Sequence, residues 1–248
     1  LPCKRSYINI LPNCCTVWLF SVRYKLSICK GLVKRYLPEI LIGLGALMLV
    51  LTYGPVISAE VVYQIKQIKN QRYGLNEDEG IIDSPFARLI SSRPILIKPV
   101  NTSFSLVIEK IGVNVPIVKN VPVTNEDTYI ASLKYGIAHA STSPYPSIEP
   151  GNVYLFAHSS VNFWRLGKYA QVFNLLRKLE TGDRVHVFYD GKVYVYEVFD
   201  KHVYKGFNTY PIRRKTLEPI LTLQTCDPPG TTINRMVITA KLISVDDL

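Results

Sequence analysis

The chain has 248 residues, 48% of them hydrophobic and 19% charged, with a net charge of +10. That length holds one domain of ordinary size plus a tail and excludes a multidomain machine, while the composition excludes a disordered or collagen-like chain. The charge is not spread as on a nucleic-acid-binding surface: residues 1–36 contribute +7, whereas from Glu60 onward 22 basic residues meet 18 acidic ones.

Between those blocks, Ile40–Ala59 is 20 residues without a charge. At about 1.5 Å per helical residue it crosses a hydrocarbon layer of roughly 30 Å. Residues 37–59 are therefore read as a single transmembrane signal anchor held in membrane lipid. Lys and Arg beside a span stay on the cytoplasmic side. Residues 1–36 are then a basic cytoplasmic segment, and the C-terminal bulk of a single-pass membrane protein lies outside the cell membrane. A cleaved signal peptide fits less well, because the run exceeds about 7–15 apolar residues and Ile57 spoils the small-residue cleavage pattern. The chain begins at Leu1 and its only methionines are Met48 and Met236, so residues 1–30 are read as a fragment's start or an unusual one.

Cys3, Cys14, Cys15 and Cys29 face a reducing cytosol on this topology and lack the spacing of a zinc site. Cys226 is the only cysteine beyond the span, with no intramolecular partner. Taken alone it reads as a small buried hydrophobe. No metal or other cofactor is expected, and no nucleic-acid partner.

Residues 60–100 read as a stalk or lid linker, with an acidic turn at Asn76–Gly80 and prolines from Ser84 to Pro99. From residue 101 to 248, short β-rich runs separated by turn signals predict an all-β barrel or sandwich with one or two short helices. FSLVIEKIG and NVPIV are the first runs, joined around Gly112. Thr124-Asn-Glu-Asp offers helix-capping chemistry, and Ile130, Leu133 and Lys134 continue a short helix that stops by Gly136. GNVYLFA, residues 151–157, is a nearly continuous apolar strand with His158 at its end. Val172, Leu175, Leu176 and Leu179 recur at helical spacing and predict a helix over Tyr169–Leu179 whose stripe is core. RVHVFYDGKVYVYEVFD alternates about Asp190-Gly191, a tight hairpin turn, and places His186 on a solvated barrel surface. PILTLQTC and NRMVITAKLI should pair antiparallel, because Pro228 and Pro229 break the ladder between them. Cys226 then ends one strand and Arg235 begins the next, close across the gap.

TLQTC followed nine residues later by Arg235 resembles the signature of the sortases, membrane-anchored cysteine transpeptidases of bacterial surfaces. GNVYLFAHS is similar to the family's histidine strand, and SLVIEKIGVNVPIV to its first two strands. The resemblance covers roughly residues 101–243 in the family's order and implies a closed barrel of about eight strands. It implies His158, Cys226 and Arg235 as the catalytic set. His139 in Gly136-Ile-Ala-His139 is read as a structural or groove-wall histidine, and His202 as surface.

The implied activity is cleavage of an LPXTG-like sorting signal of surface proteins, through a thioacyl-enzyme, with transfer to an amine of a cell-wall precursor or a pilin lysine. The segment Tyr204–Glu218 is expected to wall the substrate groove. No second hydrophobic span follows Ile243, which argues against the pilus-building subclass, yet Asp83-Ser-Pro-Phe86 lies where such members carry a lid motif that Ser84 here breaks; the subclass stays open. Some members use calcium, but no dense carboxylate cluster asks for it. Two other readings use the same residues differently: a membrane-anchored cysteine hydrolase, in which water resolves the acyl-enzyme, and a noncatalytic surface-binding β-domain in which Cys226 only packs.

Overall fold

The computed structural model describes residues 14–69, 73–75, 95–159, 167, 169–206 and 208–248. The chain divides into two units, residues 1–51 and 52–248. Helix α1 is Cys14–Ile68. Among the described residues one helical stretch, Tyr36–Gly54, is long and apolar enough to cross a membrane, and none of it is buried within the protein. The lid motif read at Asp83–Phe86 lies outside the described residues.

The second unit contains a closed barrel. Its strands are β3 Phe104–Ile108, β4 Val113–Val121, β5 Ile137–Ala140, β6 Gly151–Phe156, β7 Arg184–Tyr189, β8 Lys192–Lys205, β9 Pro219–Asp227 and β10 Asn234–Asp247. They close in the order β10-β8-β7-β3-β4-β5-β6-β9. The all-β expectation with short helices holds: α2 is Glu126–Ser132 and α3 is Tyr210–Arg213. A separate parallel pair joins β1, Tyr73–Leu75, to β2, Ile95–Ile97.

Local chemistry explains the joints. A 3₁₀ turn at Glu109–Ile111 ends on Gly112 at φ 65°, which lets β4 fold back on β3. Asp190 and Gly191 sit at φ 50° and 75°, the left-handed pair a two-residue hairpin needs between β7 and β8. Asn125 caps α2 by accepting the Thr128 backbone N–H at 3.1 Å. Gly136 leads into β5 where β4 passes so close that a Cβ would lie 2.2 Å from the Pro116 carbonyl oxygen. Gly136→Ala is therefore expected to destabilise the barrel by about 1–3 kcal/mol or more, as overpacking does, read as a lowered midpoint of urea unfolding.

Alternation sorts the barrel's two faces. Leu106, Val153, Leu155, Val185, Val187, Leu221, Leu223 and Ile238 fill the interior. A second cluster lies on the opposite face of β5 and β6, where Ala138, Ala140, Tyr154 and Phe156 pack with Leu133, Tyr129 of α2 and Ile212 of α3. Within the barrel two strand pairings are parallel, β4 with β5 and β6 with β9.

Two expectations need correction. Tyr169–Leu179 is not an α-helix: its backbone bonds run three residues back, as in Leu176 N–H to Phe173 O at 3.1 Å and Leu179 N–H to Leu176 O at 3.1 Å, and only Leu176–Lys178 is a regular 3₁₀ turn. Of its apolar stripe Leu176 and Leu179 are buried, while Val172 and Leu175 are half-buried against the core and Phe173, outside the stripe, is buried with them. His186 points away from the barrel interior as alternation requires, but it is 8% exposed and not solvated. On that side Ile97 of β2 packs on Val107 and Phe188, covering part of the sheet. The nearest carboxylate oxygen, of Glu109, lies 3.6 Å from the ring, and burial, helped by the charge of Arg184, pushes the imidazole down to about 4. His202 is exposed, as read.

The turn that follows Tyr169 is tied to the C-terminal part of α1. Glu60 meets Arg177 at 3.1 Å and Lys178 at 2.5 Å, and Lys178 Nζ stands 5.4 Å from the centre of the Tyr63 ring. The Lys178 hydrogen bond holds the Glu60 carboxyl below its usual range. A depressed carboxylate contributes stability above its unfolded pKa and loses it as pH falls, so this attachment belongs to neutral pH.

Candidate active site

Three neighbouring strands end or begin at one level. In the antiparallel ladder of β9 and β10, Cys226 is directly opposite Arg235. Opposed residues in such a ladder have Cα atoms about 4.5–5.5 Å apart. In the parallel ladder of β6 and β9, Phe156 is level with Gln224. The Ala157 N–H continues that ladder to the Gln224 carbonyl at 3.1 Å, and Thr225 Oγ1 donates to the Ala157 carbonyl at 3.0 Å. Carried on two residues, the register sets His158 beside Cys226.

The pleat puts the three on the same face. Leu221, Leu223, Met236 and Ile238 point into the core, as do Val153, Leu155 and Ala157. Gln224, Cys226, Arg235, Tyr154 and His158 alternate with them and belong to the outer face. The expected residues are thus brought to one row, His158, Cys226, Arg235, across three adjacent strands.

The surroundings set their protonation. Cys226 is a free, partly buried thiol. Burial pushes it up, and the positive charge of Arg235 pulls it back less strongly. Burial pushes His158 down. The two shifts act together to favour a neutral thiol beside a neutral imidazole over the ion pair. Arg235 is aimed by its own backbone, donating from Nη1 to the carbonyls of Thr232 at 3.1 Å and Asn234 at 3.0 Å. Its charge also opposes the upward push that burial gives Tyr154, which places the guanidinium near both groups.

One prediction follows from that field. The rate of Cys226 alkylation by iodoacetamide should rise with pH through a midpoint above the usual thiol value of about 8.5. Arg235→Ala should move that midpoint higher still and Arg235→Lys should hold it near the parent's. An unchanged midpoint in the alanine variant means the guanidinium does not act on the sulfur.

Residues without a motif complete the site. Tyr154 donates its hydroxyl to Gln224 Oε1, pairing the two strands beside Cys226. Tyr129 of α2 presents its ring to His158 at 5.4 Å and 63°, edge to face. His158 Nε2 is buried with no hydrogen-bond partner among the described residues. Tyr154 and Gln224 could have been found from alternation once β6 and β9 were known to be neighbours; Tyr129 carries no sequence signal.

The segment Tyr204–Glu218 starts as the end of β8, with Tyr204 directly opposite Arg235. It then reaches α3, whose Pro211 carbonyl accepts the Asn152 Nδ2–H at 2.9 Å while Asn152 Oδ1 accepts the Thr222 hydroxyl at 2.6 Å. Those bonds seat α3 on the outer face of β6 and β9, at the level of Asn152 and Thr222. His139 stands elsewhere. It is fully buried, stacked on Tyr145 at 4.8 Å, with Nε2 at 3.0 Å from the Pro144 carbonyl and 2.9 Å from the Ser143 hydroxyl. Among the described residues no three His, Cys, Asp or Glu side chains gather into a group that could hold a metal ion.

A family model described as Sortase domain matches residues 106–243. None of the curated proteins matches the chain. Similar solved structures include sortase C-1 from Actinomyces oris, 22% identical over 77% of this chain and 99% of that one, with a TM-score of 0.49. Sortase E1 from Streptomyces coelicolor, solved with a tripeptide in the active site, is 23% identical over 58% of this chain and 90% of that one, with a TM-score of 0.48. A Clostridium perfringens sortase D5 transpeptidase is 26% identical over 60% and 82%, with a TM-score of 0.45.

Proposed function

The chain belongs to the sortase family of transpeptidases, and from that premise we propose that Cys226 is its nucleophile, His158 its proton carrier and Arg235 the group that steadies the developing oxyanion. The observation that carries this reading is the shared row of His158, two residues past the end of β6, with Cys226 on β9 and Arg235 on β10, and the Arg235 charge felt at the Cys226 thiol.

The Cys226 thiolate adds to the carbonyl carbon of the sorting signal's Thr–Gly bond. The oxygen gains the negative charge, and Arg235, permanently charged and with fixed donor geometry, hydrogen-bonds it. As the C–N bond breaks, the imidazolium of His158 gives its proton to the departing amine. A thioester between Cys226 and the threonine carbonyl remains. A second amine then attacks that carbon, its proton passes to the neutral imidazole, the C–S bond breaks and the thiolate returns. The net reaction exchanges one amide for another.

The substrate is an LPXTG-like sorting signal lying at the row of His158, Cys226 and Arg235, in a groove that the 204–218 segment walls. The acceptor is an amine of the cell envelope. The domain running from residue 101 works outside the membrane on the anchor at 37–59, with the basic residues 1–36 in the cytoplasm; the +7 of that block and the apolar Tyr36–Gly54 stretch support this placement. An enzyme tethered beside substrates that are themselves membrane-held gains effective concentration.

The test uses the full chain in detergent with a library of fluorescent sorting peptides and a soluble amine, read by mass spectrometry. Amide-exchanged product is expected, and its mass names both the cut bond and the acceptor. Product cut by water alone, unchanged by added amine, would make the protein a hydrolase.

A further inference from the structure

Nε2 of the His158 imidazole is buried with no hydrogen-bond partner among the described residues, so no bond at that nitrogen holds the ring. The backbone before it is fastened by Ala157 to β9. The residue after it is fastened twice more. Ser159 is 3% exposed; its hydroxyl donates to Asn174 Oδ1 at 2.9 Å, and its carbonyl accepts the Gly230 N–H at 2.6 Å. Asn174 is itself 3% exposed and lies in the turn that packs Phe173 and Leu176 into the core. Gly230 lies in the connection from β9, which ends just past Cys226, to β10, which begins just before Arg235.

We infer that Ser159 and Asn174 are positioning residues for His158, a buried hydroxyl–amide pair that locks the peptide next to the histidine to the core and thereby aims the imidazole at the Cys226–Arg235 row. This rests on the proton-carrier role given to His158. A hydroxyl–amide pair suits such a lock, because both groups are neutral: Asn174 Oδ1 has the Ser159 hydroxyl, its Nδ2 is buried with no partner among the described residues, and loss of the hydroxyl would strand the oxygen as well. Ser159 also joins the histidine's loop to the β9–β10 connection, so one residue ties together the segments flanking all three members of the row. The titratable or charged groups on the elements around His158 are Glu126, Asp127 and Tyr129 on α2, Tyr154 on β6, Cys226 and Asp227 on β9, and Arg235, Lys241, Asp246 and Asp247 on β10.

The experiment compares the full-length protein with Ser159→Ala, Asn174→Ala, the double variant, Ser159→Thr and His158→Ala. Two readouts are taken: steady-state exchange kinetics, and titration of the four histidine rings by NMR of ¹³C-labelled imidazole. Each alanine variant should lower kcat by about ten- to a hundredfold with little change in KM, the size expected for a small misplacement of a reacting group. The double variant should lose no more than the worse single, and Ser159→Thr should recover most of the rate. In the alanine variants the His158 ring should titrate at higher pH than in the parent, because a loosened ring meets more water, while the rings of His139, His186 and His202 keep their midpoints.

The inference is overturned if the four rings titrate as in the parent, if all four move together as in a partly unfolded protein, or if the two single losses multiply in the double variant. If His158→Ala turns over like the parent, the proposed function fails, and the ring titrations still decide whether the pair positions the imidazole.

Discussion

Cys226→Ala is expected to remove amide exchange altogether, a loss on the order of 10⁴- to 10⁶-fold, without loss of the fold. The size follows from what is taken away. Water cannot occupy the role of a covalent intermediate that must wait for a second amine, and no other thiol lies in the described part of the barrel unit. Cys226 is partly buried at the end of β9, outside the packed interior that Leu221 and Leu223 form, so the shorter side chain leaves no large cavity. Exchange kinetics with unfolding midpoints on the same samples check both halves. Alkylation of the parent adds the counterpart: one adduct at Cys226 should abolish exchange. If the alanine variant keeps its rate, the cysteine is packing and the noncatalytic reading stands.

The second large effect separates two histidines. His158→Ala should lower the rate by about 10²- to 10⁴-fold, the worth of a positioned acid and base, while the unfolding midpoint barely moves. His139→Ala should do the reverse. Its ring is fully buried and bonds the Pro144 carbonyl and the Ser143 hydroxyl; its loss strands the carbonyl, while the hydroxyl keeps the Ala140 carbonyl and the Tyr154 N–H, and it empties a site packed between Phe104 and Tyr145. About 1–3 kcal/mol of stability should go with the unsatisfied carbonyl alone, while folded His139→Ala keeps most of its activity. Equal loss of activity in both variants would refute the assignment of the proton carrier.

The pH dependence of exchange carries the sign of the two shifts. With the thiol pushed up and the imidazole pushed down, the reactive combination of thiolate and imidazolium is a minority form between the two midpoints. Raising pH gains thiolate and loses imidazolium, and lowering it does the opposite. A bell-shaped profile is expected, with His158→Ala removing its alkaline limb.

What could be read from the residues depended on how local the deciding physics was. Asp190-Gly191 announced its hairpin because only a few residues tolerate two successive left-handed angles, and 50° and 75° are what the turn uses. The Cys226–Arg235 pairing was legible for a similar reason, since prolines confine the break and alternation sets the register. The neighbourhood of His158 and Cys226 was not local. It depends on a parallel pairing between β6 and β9, segments some seventy residues apart that no periodicity connects, and only the family resemblance brought them together.

Tyr169–Leu179 misled because Val172, Leu175, Leu176 and Leu179 recur at the threes and fours of 3.6 residues per turn, whereas the buried Phe173, Leu176 and Leu179 recur every three, as a 3.0-residue turn requires. His186 was placed on its proper face, but alternation says nothing of what covers that face, here Ile97 from a strand outside the barrel. Tyr129 and the Ser159–Asn174 bond were invisible, for each is a contact between segments that have no pattern in common.

The most direct measurement is the intact mass of the full-length protein caught with a sorting peptide and no amine, followed by peptide mapping. A single adduct is expected, equal to the peptide through its threonine, on Cys226, labile to hydroxylamine and missing from Cys226→Ala. Turnover of the peptide with no such adduct, or with the adduct on another residue, would contradict the assignment of Cys226 as nucleophile.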